Sequence, residues 1–175
     1  TPLIGGEAYV LWGALISGLL ALLALGGGIL PTIWLQIAWA AFPLLAGAGM
    51  FLLFRRYDDD SHAPSYRNRV VSRLWVLIAA AITVVTIIEL ATGFQRPELL
   101  LVVCATLFAV GTGVTSSFVK SNALFVSAVG WIAVAGGAQL LGEIRCAMLL
   151  VAAAALAFLV VPGITMMVRK RRETG

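Results

Sequence analysis

Charge and histidine are what this sequence has least of. Only 11% of its 175 residues are Asp, Glu, Lys or Arg, and there is one histidine, His62. A soluble domain is about 25% charged, so a water-soluble globule of this size could not cover its own surface. Disorder, coiled coil, collagen and a disulfide-rich secreted module are excluded by the same composition. No apolar run holds a histidine, which excludes bis-histidine haem and histidine-ligated chlorophyll within this chain. Cys104 and Cys146 are the only cysteines and form no Cys-x-x-Cys pair, so zinc and thioredoxin-type motifs are missing. Their expected depths in two helices differ by about 8–9 Å at 1.5 Å per residue, whereas a disulfide needs Cα atoms within about 7 Å. Two separate thiols are therefore expected. There is no Gly-x-Ser-x-Gly elbow, no His-Glu-x-x-His and no P-loop. The acidic triplet Asp58-Asp59-Asp60 beside His62 reads as a solvated loop. Nothing points to an enzyme, a metal or a cofactor.

What the chain has in abundance is apolar length. It is 61% hydrophobic, with a mean hydropathy of +1.03. A bilayer core takes about 20 apolar residues per helix. Six such runs are present, at about 9–27, 33–54, 72–92, 97–118, 122–141 and 146–168. Backbone inside lipid must satisfy itself, which leaves helices or closed barrels, and runs of this length are helical. The expected fold is therefore all-α: one polytopic membrane domain of six transmembrane helices, arranged as three tandem antiparallel hairpins. Short tips at 28–32, 93–96 and 142–145 carry the turn residues Gly28, Pro31, Gly93 and Gly142. Short tips force antiparallel neighbours. The long polar segment 55–71 is a cytoplasmic loop, and Ser121-Asn122 is the turn between the fourth and fifth runs.

The net charge is +4 and the pI about 9.6. In a soluble protein that would point to nucleic acid; here the basic residues cluster between apolar runs. Arg55, Arg56, Arg67, Arg69, Arg73, Lys120, Arg169, Lys170, Arg171 and Arg172 fall on one side, and only Arg96 and Arg145 on the other. By the positive-inside rule this places both termini in the cytoplasm of an inner-membrane, multi-pass protein. The first run lacks a basic segment before it and reads as a retained helix rather than a signal peptide.

Packing residues recur at helical spacing. Gly13, Ser17 and Ala21, then Ala105, Ala109 and Gly113, then Ala133 and Gly137 form small-residue stripes. Such stripes let backbones approach in lipid, and serve internal packing, a homo-oligomer or a larger complex alike. Pro43 should kink the second helix and Pro162-Gly163 loosen the sixth. Trp12, Trp75 and Trp34 read as interfacial belt residues, and Trp131 as a mid-helix packing residue. Proline and glycine spacings match between runs: Gly47 lies 16 residues after Pro31, and Gly113 lies 16 after Pro97. A threefold repeat and a coincidence of similar helices both fit that pattern.

Ionisable residues at membrane depth are functional candidates. Glu89 is the clear one, about 17 residues into the third run and so toward the outer face. Gln36, Gln139 and Arg145, with Arg96, Glu98 and Glu143, are expected at similar depth. They either line a shallow outer pocket around Glu89 or sit separately in wet interface.

The segment Arg96-Pro-Glu-Leu-Leu-Leu-Val-Val-Cys-Ala-Thr-Leu-Phe-Ala-Val-Gly111 opens at a tip proline and turns glycine-rich near its inner end; Ile29-Leu-Pro31 through Gly49 does the same. In this the chain resembles the small six-span acid-resistance inner-membrane proteins of the HdeD type. The third hairpin departs, with Arg145 in place of the tip proline and its glycine late, at Gly163. The long Asp- and Arg-containing loop also departs. The resemblance implies a non-enzymatic protein with structural or stress-protective work, and carries no catalytic residues. The alternative expectation is a substrate-binding or transport component using the outer pocket. The expected partners are the lipid bilayer and a second copy or a larger membrane complex, with no nucleic acid.

Overall fold

The structure, a computed structural model, describes the backbone of residues 6–27, 32–58, 66–93 and 97–174. The described residues are helical without a strand. The helices are α1 (Gly6–Gly26), α2 (Thr32–Asp58), α3 (Tyr66–Ala91), α4 (Pro97–Val119), α5 (Asn122–Leu140), α6 (Ile144–Ala155) and α7 (Val161–Thr174), with a π-helical turn, Leu156–Val160, between the last two. Among the described residues, five stretches are long and apolar enough to cross a membrane: Gly6–Gly26, Arg69–Ala91, Glu98–Val119, Asn122–Leu140 and Ile144–Val168. By length and composition this is a membrane protein. A shorter apolar stretch, Ile37–Gly49, lies within α2. Large hydrophobic side chains face outward on the long helices, such as Leu44 (75% exposed), Leu77 (68%) and Val126 (62%). A water-facing surface rarely carries so much apolar area.

The segment expected as a loop at 55–71 is shorter than its polarity implied. α2 continues through Arg55, Arg56 and Tyr57 to Asp58, and α3 already begins at Tyr66. Hydropathy marks where lipid ends, but backbone hydrogen bonding carries a helix on through residues such as Arg that favour it. Asp59, Asp60, His62, Pro31 and Arg96 lie outside the described residues. Pro43 falls inside α2, whose helix is unbroken from Thr32 to Asp58.

The last helix is interrupted where Pro162-Gly163 was expected to loosen it. Proline has no N–H, and its ring crowds the carbonyl four residues earlier, here Phe158. The chain widens into a π turn just before it, and Val161 N–H donates to Leu156 O five residues back. Two of the turns use left-handed glycines, Gly93 (φ 75°) and Gly142 (φ 64°). The third uses Lys120 (φ 55°), after which Ser121 N–H donates to Ser116 O at 3.2 Å. That is a Schellman closure, normally a glycine's position. The Ser121 hydroxyl then accepts from Leu124 N–H and caps α5.

Among the described residues, the most extensive packing is between α4 and α5 and between α1 and the α6–α7 arm. The two-residue turn Lys120-Ser121 joins α4 to α5, whereas α1 and the α6–α7 arm come from opposite ends of the chain. Small residues decide this packing. A Cβ on Gly6 would collide with the Gly163 carbonyl oxygen, and one on Gly13 would sit 2.6 Å from Val160 Cγ2 and 3.0 Å from the Ala155 carbonyl oxygen. At the other end, a Cβ on Gly27 would lie 3.8 Å from Arg145 Nη2, so α1 runs antiparallel to α6–α7. A Cβ on Gly113 would lie 3.4 Å from Ala128 Cβ across α4–α5, whereas one on Gly47 would meet nothing within 4 Å. The two glycines with matching spacing therefore sit in different environments. Gly13 and Ser17 are buried within the bundle, and Ala133 is exposed while the inward face of α5 carries Leu124, Ser127, Ala128, Trp131, Val134, Ala135 and Ala138.

Candidate functional site

The interior is built around aromatic rings from α1, α2, α3, α4 and α5 and from the π turn. Phe108 of α4 is the hub. Its ring centroid lies 6.2 Å from Trp12 of α1, 6.2 Å from Trp75 of α3 and 5.2 Å from Trp131 of α5. Tyr9 packs edge-on against Trp75 at 5.4 Å, Trp12 reaches Phe42 of α2 at 6.0 Å, and Trp131 reaches Phe158 in the π turn at 6.2 Å. Rings at these separations add about 0.5–1.5 kcal/mol per pair beyond the area they bury.

This corrects the belt reading of Trp12 and Trp75. Both are buried, at 7% and 6% exposure, and face the bundle axis. Depth along the helix placed them near an interface; azimuth, which a uniformly apolar helix does not declare, turned them inward. Trp34 is 60% exposed, as a belt residue would be. Trp131 is fully buried between Phe108 and Phe158 and does pack the helices together. Glycines make room for the rings: a Cβ on Gly130 would sit within 2.6 Å of Phe158 Cε2, and one on Gly111 3.2 Å from the Trp75 ring.

Polar atoms at this end are mostly tied to backbone. Thr112 donates to Phe108 O at 2.7 Å, Ser116 to Gly113 O at 2.6 Å and Ser127 to Ala123 O at 2.9 Å. Thr115 donates to Gly111 O at 2.7 Å and accepts from Trp75 Nε1 at 3.2 Å, a cross-helix bond between α3 and α4. Tyr9 Oη lies beside that pair without hydrogen-bond geometry, and Trp12 Nε1 and Trp131 Nε1 are buried without a partner.

Beyond Phe108, toward the Gly27 end, lies an apolar cavity of about 30 Å³. Ile16, Leu19 and Leu20 of α1, Trp39 and Phe42 of α2, and Ile82 of α3 line it, with Leu101, Cys104 and Phe108 of α4 and Val151 of α6. No polar atom faces it. Cys104 and Cys146 are both free thiols.

Of the outer polar residues, Glu89 is 9% exposed. It ends the inward stripe of α3 formed by Val71, Trp75, Ile78, Ile82 and Thr86, whose spacing of three and four residues places them on one face. Gln139 and Arg145 are exposed, on α5 and α6. Neither helix packs substantially on α3 among the described residues. Arg145 stands over the C-terminal end of α1 instead, where a cation complements the helix dipole. Glu143 accepts a 3.4 Å hydrogen bond from Cys146 Sγ, and Glu98 is exposed. Gln36 belongs to α2, and its side chain lies outside the described residues. No cluster of three His, Cys, Asp or Glu side chains occurs among the described residues.

Nothing in the sequence marks these rings as one hub, because a helix apolar on every face does not declare which side chains turn inward. No protein-family model matches this chain, and no curated protein or solved structure shows significant similarity to it.

Proposed function

We propose that this chain is a six-span, non-enzymatic protein of the inner membrane, with both termini cytoplasmic and a structural or stress-protective role within a membrane assembly. α2, 27 residues long with its apolar stretch Ile37–Gly49, is the sixth span. The three pairs joined by short tips are the hairpins of this reading, and the ten-to-two split of basic residues supports its orientation. The observation that carries the role is the allocation of side chains. The interior rings and small residues are committed to helix packing, and the hydroxyls mostly to their own helices. The outward faces remain apolar and available to lipid or to a second membrane protein. The likeness to HdeD-type proteins in 96–111 and 29–49 adds the stress-protective part.

Gentle detergent extraction followed by native mass spectrometry tests this. A defined oligomer or a complex with other membrane proteins is the expected result; a lone monomer at all protein-to-detergent ratios overturns the assembly role. Orientation is checked by labelling Ser61→Cys in a background with Cys104 and Cys146 replaced. Modification from outside by an impermeant reagent overturns it.

A second reading rests on Glu89. A carboxylate on the inward stripe of a spanning helix is costly to keep there, and such residues commonly mark a substrate or ion path. On this reading the chain is a substrate-binding or transport component. Glu89→Gln then abolishes uptake or ligand-dependent stabilisation; an unchanged melting temperature across a ligand panel in both proteins removes it.

A further inference from the structure

We propose that the cavity beyond Phe108 is a binding site for the end of a lipid acyl chain. Its wall is aliphatic and aromatic carbon with the single thiol of Cys104, and no polar atom faces it. The volume, about 30 Å³, is roughly twice what one water requires. A buried water also needs two to four polar partners, and this wall supplies none. Hydrocarbon needs no partner, only contact with the wall, and an empty void forfeits that contact on every side.

The position of the opening selects the occupant. Eight of the ten lining residues are buried; Leu19 and Cys104 are partly buried, so the wall comes nearest the surface between them. Leu19 is seven residues from the end of α1 at Gly26, and Cys104 is seven from the start of α4 at Pro97. At 1.5 Å per residue the mouth therefore lies about 10 Å inside the helix ends. Both helices are long and apolar enough to cross a membrane, so the medium at that depth is acyl chain rather than water or headgroup. The space accepts a chain terminus and not a whole lipid.

The test uses the full chain in phosphatidylcholine vesicles doped with a phospholipid carrying a diazirine at the end of one acyl chain. After photolysis, adducts are mapped by mass spectrometry. The expected result is labelling of the buried wall residues Ile16 and Leu20 as well as of the outward-facing Val84 and Val126. Cys104→Leu and Leu19→Phe narrow the cavity from two helices. Each should lose the Ile16 and Leu20 adducts while keeping those at Val84 and Val126, which also report that the variant is folded and inserted. Adducts confined to Val84 and Val126 in the parent protein overturn the proposal. So does persistence of the wall adducts in either inserted variant.

Discussion

At the end of the bundle that holds Gly6 and Gly163, helices meet backbone to backbone and rings fill the space between them. At the end that holds Gly27 and Arg145, branched aliphatic side chains meet across the axis and a void remains. Buried apolar side chains run through both ends as one cluster. In lipid there is little hydrophobic force between helices, and association depends on contact and on a few polar links. The first end has both, through Gly6, Gly13, Gly130 and Gly163 and through the Trp75–Thr115 bond. The second holds the cavity, walled by Leu20, Ile82, Leu101 and Val151 together with the rings of Trp39 and Phe42. The same contrast separates what holds the bundle together from where it can take up something else.

The largest way to break the comparison is Phe108→Ala. It removes the ring that touches Trp12, Trp75 and Trp131 and joins the aromatic end to the cavity below it. A loss of about 3–5 kcal/mol is expected from buried Phe truncation, read as a fall in the midpoint of denaturant unfolding in micelles. Next is Gly13→Leu, which must displace Val160 or the Ala155 carbonyl. Overpacking of this kind costs about 1–3 kcal/mol. Its control is Gly136→Ala, since a Cβ at Gly136 would meet nothing within 4 Å. That change should be neutral or raise stability by up to about 1 kcal/mol through helix propensity. Equal losses in both would mean that the close crossings do not set the stability of the aromatic end.

Val151→Ile sharpens the other side. Val151 is buried and lines the cavity, so one added methylene should fill void and stabilise by about 0.8 kcal/mol. Destabilisation would show that this end is already full. The smallest effect is expected at Lys120, held at φ 55° in the turn between α4 and α5. Lys120→Gly relieves the left-handed strain and should raise the thermal midpoint slightly, by the equivalent of about 1 kcal/mol or less. A fall instead would mean that the lysine's charge at the C-terminus of α4 outweighs the strain.

Helix positions were the most legible part of the fold. The apolar runs locate α1, α4 and α5 to within about three residues, because a lipid-facing backbone has no other way to bond itself. Boundaries failed at Arg55–Asp58, where a helix outlasts its apolar run. The direction each side chain faces was largely illegible. A helix apolar on every face gives no amphipathic signal, so Trp12 and Trp75 could not be told from a belt. The partner of the α1 small-residue face could not be told from a second protein either. Of the candidate site, Glu89 was visible as a charge in an apolar run. Its placement on the inward stripe of α3, with Gln139 and Arg145 exposed on α5 and α6, depended on which helices became neighbours.

By itself the sequence determined the solvent, the helical backbone and the sites of the turns. Each follows from a local requirement: apolar length for lipid, internal hydrogen bonding in its interior, and glycine where φ turns positive at Gly93 and Gly142. Only the tertiary structure decided that α1 closes on the last helix through Gly6, Gly13 and Gly163, that rings of α1, α3 and α5 meet on Phe108 of α4, and that a cavity is left beneath it. Those outcomes depend on shape complementarity between residues as far apart in the chain as Gly6 and Gly163. A hydropathy pattern carries no record of shape.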